Sequence, residues 1–455
     1  MQPLRAYAFL PAVVALFATP RAVAADAPPN VLIFIADDMA VEDCGAYGHP
    51  HIRTPNIDRL AHEGVRFDAA FLTCSSCSPS RSSILTSRYP HNTGAHQLHL
   101  PLPAEQVLVS APLRDAGYHT AAVGKWHLGN AVKNQFDEVK EGEVDQMVPT
   151  LRDRPTDKPF FFWFAFIDPH RPYQMGTIDT PHLPEDAVVP PFLPDTPAVR
   201  DDLAMYYDEI SRMDANIGDV LAELDRQGIS ENTVVVFLSD NGRPFPRCKT
   251  TVYDSGIQTP LIVRWPGEVK PGTTQALVSS IDVMATVCDM AGVPRPKSFQ
   301  GGSFLPMLDD LSAHGRDAVF AEHNWHDYEA RDRAVRTPTM KYIRYDYNDL
   351  PGTPPADAVR SPTFDEMKRL RDANMLTDVQ TRPFVVPQPK EELFDLTEDP
   401  HELVNLAEDP AYADELHLLR LRLDHWQRET DDAPAAARRP DGFDRESGEP
   451  LRQRR

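Results

Sequence analysis

Two groups of oxygen-bearing side chains follow apolar runs that are typical of buried strands. Asp37 and Asp38 come directly after NVLIFIA, and Asp240 and Asn241 come after TVVVFLS. Their carboxylate and amide oxygens form a hard ligand set, which suits calcium first and magnesium second. A paired aspartate after a strand is also typical of a turn or a helix cap. Because both groups follow strand ends, where α/β proteins bind ligands, we interpret them as one cation site.

A cysteine lies between these two groups, in the segment CSPSR at residues 77–81. Pro79 suits the first turn of a helix, so Cys77 would face the positive end of that helix. The alternative is a thiol that is simply buried. The chain has five cysteines, so any pairing leaves at least one unpaired. Cys74 and Cys248 either form a disulfide or remain separate thiols.

The segment at residues 77–81 resembles the Cys-x-Pro-x-Arg signature of the type I sulfatases in the alkaline phosphatase superfamily. Further segments resemble the family in its own order, namely GKWHLG at 124–129, DPH at 168–170, SDNG at 239–242 and LFDLTEDPHELVNLA at 393–407. Ser87 is a departure, because the family has glycine there.

The resemblance implies that a formylglycine-generating enzyme oxidises Cys77 to formylglycine (3-oxoalanine). The hydrated aldehyde would attack sulfur and give a covalent sulfo-enzyme. His127 would then take a proton so that the aldehyde re-forms and expels sulfate. The implied ligands of Ca2+, with Mg2+ as second choice, are Asp37, Asp38, Cys77, Asp240 and Asn241.

The basic residues of the same motifs have implied roles as well. Lys125 and Lys249 would hold the sulfate oxygens, and Arg81 would orient the hydrated aldehyde. His170, together with Lys249, would protonate the leaving group. For each cation alone, a solvated surface residue is the alternative.

Within the family, the sequence is most similar to the heparan N-sulfatase (sulfamidase) group. The similarity rests on CSPSR, on FLPDTP at 192–197 and on DNG followed by PFP at 244–246. This similarity implies glucosamine with an N-sulfo group as substrate. Lys249, however, stands where the sulfamidases have arginine and where O-sulfatases have lysine. Both a sulfamate and a sulfate ester on a sulfated saccharide therefore remain open.

The segment EHNWHDY and the arginines beyond it supply candidates for reading the sugar or its carboxylate. These substrate-binding candidates are His323, His326, Asp327, Arg333 and Arg336. The alternative is that they are hinge and surface residues. His96 and His99 are further candidates.

Strand-like runs alternate with helical patterns, which predicts an α/β fold. The family resemblance specifies a large, mixed, mostly parallel sheet sandwiched by helices, as in alkaline phosphatase. We expect this catalytic domain at 27–316. A small antiparallel sheet with one helix is predicted at 317–431, where the pattern changes. Residues 432–455 lack periodicity and are predicted to be a disordered tail.

The composition narrows the class of protein. With 68 acidic and 46 basic side chains, the net charge of -22 argues against binding to nucleic acid. Residues 1–24 have the pattern of a secretory signal peptide, which predicts export to a periplasm or the cell exterior and no membrane span after cleavage. A membrane anchor is the alternative for this segment.

Two other functions remain open at this stage. A phosphatase or phosphonate monoester hydrolase of the same superfamily would use a related metal site. Phosphatases there carry serine or threonine with two metals, and only one cluster of ligands is visible in the sequence. A glycan-binding protein in which Cys77 is never converted is the other alternative.

Overall fold

The computed structural model describes residues 28–434 and 437–451. The predicted signal peptide therefore lies outside the described residues. No helix in the described part of the chain is long and apolar enough to cross a membrane.

Short runs of β-branched and aromatic residues form the strands. These are β1 (Asn30–Ala36), β2 (Val65–Phe67), β3 (Ala70–Phe71), β4 (His119–Gly124), β5 (Glu138–Glu141), β6 (Phe160–Ala165), β7 (Thr233–Ser239), β8 (Leu261–Arg264), β9 (Gly272–Thr274), β10 (Val278–Ser279), β11 (Val319–His323), β12 (Asp332–Arg336), β13 (Met340–Tyr345) and β14 (Glu391–Asp395).

The helices lie mainly between the strands. They are α1 (Pro55–Glu63), α2 (Cys77–Thr86), α3 (Ser110–Asp115), α4 (Met147–Asp153), α5 (Pro197–Gln227), α6 (Asp254–Ile257), α7 (Asp282–Met290), α8 (Leu305–Asp309), α9 (Ala356–Val359), α10 (Pro362–Asp372) and α11 (Ala413–Glu429).

The large sheet has eight strands in the order β5-β4-β6-β1-β7-β8-β2-β9. Five of its seven pairings are parallel, and β8 runs antiparallel to both of its neighbours. In the central strand β1, Val31, Ile33 and Ile35 pack into one hydrophobic core, whereas Leu32 and Phe34 pack into the other. Both faces of the sheet are therefore covered, which explains the continuous apolar runs.

The last part of the chain forms a second, smaller layer. Strands β11 to β14 make a four-stranded antiparallel sheet in sequence order. On α11, Leu416, Leu419 and Leu423 pack against this sheet at residues such as Tyr342 and Leu393. The mixed, mostly parallel sheet with helices and the small antiparallel sheet confirm the predicted fold class.

For residues 432–434 and 437–451, the structure contradicts the prediction of a disordered tail at 432–455, and the other residues of that tail lie outside the described residues. Asp432 is buried beside Arg333, whose Nε lies 2.7 Å from Asp432 Oδ2. The Arg439 guanidinium lies 3.6 Å from the centre of the Trp325 ring, and the Gly442 amide donates to the Asp327 carbonyl. We name residues 437–451 the C-terminal strap. Separate contacts of charged and aromatic side chains hold the strap in place. Because they do not recur at a regular spacing, the hydrophobic pattern of the sequence does not predict an ordered segment there.

Candidate active site and metal centre

The two predicted groups of oxygen ligands meet at one edge of the large sheet. Strands β1 and β7 are parallel neighbours, and Ala36 lies opposite Ser239. The residues that follow are therefore adjacent, and the Asp38 amide donates to Asp240 Oδ1 over 3.2 Å. The Asn241 side-chain amide donates to Asp38 Oδ1. Parallel pairing of the two strands thus brings four polar side chains together.

Helix α2 brings Cys77 to the same place. Cys77 begins this helix, all ten residues of which are buried. Its sulfur lies 3.9 Å from Asp38 Oδ1. Burial raises the pKa of the Cys77 thiol above its ordinary value. Since the thiolate is the reactive form, the unmodified side chain is a weak nucleophile.

The C-terminal end of α2 explains the departure from the family pattern at Ser87. Its φ of 52° lies in the left-handed region that favours glycine. The Ser87 hydroxyl donates to the Ile281 carbonyl over 2.5 Å, which helps to hold this conformation. Ser87 follows the last residue of α2, so this departure lies at the opposite end of the helix from Cys77.

Three cations pair with the acidic residues beside Cys77. Arg81 Nε lies 2.8 Å from Asp240 Oδ2. Lys125 pairs with Asp37, and Lys249 Nζ lies 2.7 Å from Asp38 Oδ2. Each of the three carboxylates thus has its own protein cation.

These contacts separate the pKa values of the carboxyl groups. Burial by itself would raise the pKa of Asp37, but Lys125, His170 and Arg81 hold it well below its ordinary value. Burial raises the pKa of Asp240 to about 7, because the charge of Asp37 adds to burial and Arg81 only partly offsets them. The protein's own cations therefore do not fully neutralise this group of buried carboxylates.

Two buried oxygens at this site have no hydrogen-bond partner, namely Asp37 Oδ1 and Asn241 Oδ1. One ligand atom each from Asp37, Cys77 and Asp240 lies within 4.8 Å of the others. Buried oxygens without partners are costly unless a ligand satisfies them. We name Asp37, Asp38, Cys77, Asp240 and Asn241 the crevice cluster. Its donors fit a hard divalent cation such as calcium or magnesium.

The turn after β4 places Lys125 and His127. Gly124 has a φ of 91°, and a Cβ atom there would lie 2.0 Å from the Ala165 carbonyl oxygen. Glycine is therefore required where β4 turns past β6. His127 Nε2 lies 2.7 Å from His99 Nδ1. Burial, with Lys125 and His99, lowers the pKa of His127 to about 3, so this imidazole is neutral at ordinary pH.

His170 reaches the site from the loop after β6. Its Nδ1 bonds to the Arg171 carbonyl, so Nδ1 carries the hydrogen. Its Nε2 lies 3.9 Å from Asp38 Oδ2 and 3.6 Å from Asp357 Oδ2. His170 thus presents Nε2 to the same space as Lys249. Sequence reasoning missed Asp357, which belongs to the four-residue helix α9 and carries no periodic or motif signal.

Of the five substrate-binding candidates, His326 and Asp327 lie beside the site. His326 Nδ1 lies 2.6 Å from the hydroxyl of Ser76, the neighbour of Cys77. Asp327 Oδ2 accepts from the Ala356 amide over 3.0 Å, next to Asp357. Of the two further candidates, His99 contacts His127 as described above, and His96 is half-buried.

The other three candidates bind protein partners. His323 Nδ1 lies 3.1 Å from Asp332 Oδ2. Arg336 lies over the Phe71 ring and pairs with Asp254. Arg333 is buried with Asp432, so its donors are taken by protein acceptors. The alternation of side chains along β12 does not determine which protein group each of its arginines contacts.

Arg333 belongs to a second buried group of charges, which links the small sheet to the segment after α2 and to Asp432. His91 Nδ1 lies 2.7 Å from Glu322 Oε2, and these two residues with Asp432 also have spacing that could hold a metal ion. Arg333 lies among them, 3.6 Å from Glu322 Oε2. We name His91, Glu322, Arg333 and Asp432 the subdomain cluster. Every carboxylate oxygen in it has a protein partner.

The cysteine pairing considered above does not occur in the structure. Cys74 and Cys248 are both free and buried, as are the remaining cysteines of the chain. The Cys74 sulfur instead lies 4.0 Å from the Ser76 carbonyl oxygen.

Comparison with protein families gives two matches. The family described as Sulfatase matches residues 29–144 and 142–293. The family described as N-sulphoglucosamine sulphohydrolase, C-terminal, matches residues 247–383. Together they span the large sheet, strands β11 to β13 of the small sheet and every residue of the crevice cluster.

Individual relatives agree with these matches. The chain is 34% identical to human N-sulphoglucosamine sulphohydrolase, covering 91% of this chain and 92% of that protein. It is 32% identical to an ulvan-active sulfatase of Formosa agariphila, covering 88% of this chain and 74% of that protein.

Solved structures show the same fold. A protein in complex with its substrate D-glucosamine-2-N,6-O-disulfate aligns with a TM-score of 0.70 at 20% identity, covering 90% of this chain and 99% of that chain. A 2-O GAG sulfatase aligns with a TM-score of 0.69 at 22% identity, covering 89% and 93% of the two chains.

Proposed function

The chain belongs to the sulfatase family, and we propose that it hydrolyses a sulfamate or sulfate ester on a sulfated saccharide through a formylglycine at position 77. The observation that carries this proposal is the placement of Cys77. It begins a buried helix 3.9 Å from a carboxylate of the crevice cluster. The raised thiol pKa argues against an ordinary cysteine nucleophile.

The formylglycine hydrate would supply two hydroxyl groups at this position. One forms the bond to sulfur, and the other loses its proton when the aldehyde re-forms and sulfate leaves. His127 is suited to take that proton, because its imidazole is neutral at ordinary pH. A serine would lack the second hydroxyl.

The crevice cluster is suited to hold a divalent cation, with calcium first and magnesium second. Asp37, Asp38, Asp240 and the Asn241 side-chain oxygen would be its protein ligands, and position 77 would lie beside it. Such a cation would supply positive charge next to the sulfate oxygens and the attacking hydroxyl. Arg81 holds Asp240 in place for this purpose.

Lys125, Lys249 and His170 surround the space where the sulfate group would bind. The two lysines can pair with sulfate oxygens as negative charge moves onto them. His170 Nε2 faces the same space and can protonate the leaving atom of the sugar. These roles account for the three basic residues that lie beside the crevice cluster.

N-sulfated glucosamine is the first candidate substrate. The human relative and the C-terminal family match both carry the name of an N-sulphoglucosamine sulphohydrolase. An O-sulfate ester is the second candidate, favoured by Lys249. A lysine binds an oxyanion as a point charge, whereas arginine binds it as a planar fork, so the sugar can be placed differently.

The proposed setting is outside the cytoplasm. The N-terminal pattern at residues 1–24 supports export to a periplasm or the cell exterior. A formylglycine-generating enzyme would then act on the chain during maturation.

Mass spectrometry and sulfate release test the proposal together. The full chain is co-expressed with a formylglycine-generating enzyme, and the peptide containing residue 77 is measured for the conversion of thiol to aldehyde. Free sulfate is then quantified by ion chromatography from N-sulfated and O-sulfated glucosamine, with Cys77→Ala as control. Calcium-dependent release would support the proposal. Absence of conversion at Cys77 would favour the glycan-binding alternative, whereas full conversion with release of phosphate from a phosphate monoester and no release of sulfate would favour the phosphatase alternative.

A further inference from the structure

Asp357 is an acidic residue in a place that must accept an anion. Its Oδ2 atom lies 3.6 Å from His170 Nε2 and 3.8 Å from Lys249 Nζ. The same oxygen is shielded from solvent and has no hydrogen-bond partner. A carboxylate opposes the binding of a negatively charged substrate, so its presence beside His170 and Lys249 needs an explanation.

The carboxylate of Asp357 is ionised in this environment. Burial by itself would raise its pKa, but Lys249 and His170 hold it below its ordinary value. Oδ1 is already used, because it accepts from the Ala358 amide over 2.8 Å. Oδ2 is therefore the atom that faces His170 and Lys249.

Asp357 differs from the other carboxylate near these residues. Asp38 also approaches both His170 and Lys249, at 3.9 Å and 2.7 Å. Asp38, however, belongs to the crevice cluster, where its oxygens are needed for the cation. Asp357 lies outside that cluster and can serve His170 and Lys249 alone.

The surrounding contacts fix Asp357 from two sides. On one side, the Ala356 amide donates to Asp327 Oδ2 over 3.0 Å. On the other side, Thr363 and Arg171 both donate to the carboxylate of Asp202. Arg171 is the neighbour of His170, so this bridge ties the segment of Asp357 to the loop of His170.

We propose that Asp357 is a positioning residue that orients His170 and Lys249 for departure of the leaving group. This inference rests on the proposed sulfatase function. In the step concerned, one hydroxyl oxygen of the formylglycine hydrate, its proton released to water, would form a bond to sulfur while the bond between sulfur and the sugar oxygen or nitrogen breaks. Its electron pair stays on that atom, and the proton moves to it from His170 Nε2. Asp357 Oδ2, 3.6 Å from His170 Nε2 and 3.8 Å from Lys249 Nζ, keeps both side chains directed at the leaving atom.

The dependence on the leaving group tests this role. The sugar is a poor leaving group and needs the proton. By contrast, 4-nitrophenolate is a good leaving group and departs without it. Asp357→Asn keeps the shape and removes the charge. We expect it to lower kcat on the saccharide roughly 10- to 100-fold and to lower kcat on 4-nitrophenyl sulfate far less. Asp357→Glu should recover part of the loss, and Asp372→Asn, on the exposed end of α10, is the matched control.

A double-mutant cycle with His170→Ala separates positioning from folding. If Asp357 acts through His170, Asp357→Asn should cause little further loss in the His170→Ala background. Equal losses on both substrates, or a higher KM with unchanged kcat, would overturn the inference. Wild-type protein with confirmed conversion that releases no sulfate would instead refute the proposed function.

Discussion

The crevice cluster and the subdomain cluster are both buried groups of acidic residues with spacing that could hold a metal ion. They differ in how the charges are satisfied. In the subdomain cluster, Arg333 and His91 lie among the carboxylates, and every carboxylate oxygen has a partner. In the crevice cluster, Asp37 Oδ1 and Asn241 Oδ1 have none.

The difference shows what separates a structural ion network from a binding site. Acidic residues at close spacing are common to both, so spacing alone does not identify a ligand. A protein cation inside the group satisfies the carboxylates, because the cation supplies both charge and hydrogen bonds. Oxygens that are buried without partners leave room for a ligand to supply them. Substitutions in the two clusters should therefore affect different properties.

The largest expected effect is on catalysis. Cys77→Ala removes the residue that carries the nucleophile, so turnover of the sulfated saccharide should fall about ten-thousand-fold or more. Sulfate release measured on folded protein checks this. Cys288→Ala removes a buried thiol from α7 and should keep its turnover. Activity that survives in Cys77→Ala would place the nucleophile elsewhere.

The next effect is on stability. Arg333→Met removes the guanidinium between Glu322 and Asp432, which keep only His91 and Arg331 as basic partners, and should lower the free energy of unfolding by about 3–5 kcal/mol. Urea denaturation measures this change, and Arg422→Met on the exposed side of α11 serves as control. The protein that remains folded should keep its turnover. A loss of turnover without a loss of stability would instead support the sequence-based prediction that Arg333 binds substrate.

Cation binding should distinguish the clusters directly. Asp240→Asn removes a ligand charge from the crevice cluster, and we expect calcium affinity to fall about 100-fold. Glu322→Gln in the subdomain cluster should leave calcium affinity unchanged. Calorimetric titration of converted, chelator-treated protein with calcium chloride measures both. Equal weakening by the two substitutions would contradict the assignment of the cation to the crevice.

The smallest effect concerns pH. Burial opposes ionisation of Asp432, but hydrogen bonds and charge from Arg333 hold its pKa well below its ordinary value. Its stabilising contribution is therefore complete above the unfolded pKa of about 4 and is lost as the pH falls below that value. Asp432→Asn should cost about 1–3 kcal/mol at neutral pH, with the difference shrinking in acid. Denaturation curves at several pH values check this, with the exposed neighbour Asp431→Asn as control.

Local patterns in the sequence predict much of the fold. Continuous apolar runs predict β1, β6 and β7 because both faces of these strands are buried. Polar residues after β1 and β7 could be assigned to one site because parallel strands end at the same edge. The strand order and the three-residue strands β2 and β9 could not be predicted, since long-range pairing decides them.

The second subdomain shows where sequence reasoning reaches its limit. Arg333 was a reasonable substrate ligand by charge alone, yet its partner Asp432 lies 99 residues away. Asp357 faces His170 across 187 positions of sequence, from a segment without periodicity. Contacts between subdomains depend on how two separate sheets dock, and no local pattern encodes that geometry.

The C-terminal strap makes the order of synthesis matter for this protein. The crevice cluster is complete once residue 241 has been made, but the Trp325 ring that packs beside Cys77 is covered by Arg439, and Asp327 is held by Gly442. A chain that stops before Arg439 would contain every proposed cation ligand. It would lack the contacts that cover Trp325 and hold Asp327. A segment translated more than 300 positions after Cys77 therefore completes the surroundings of that residue.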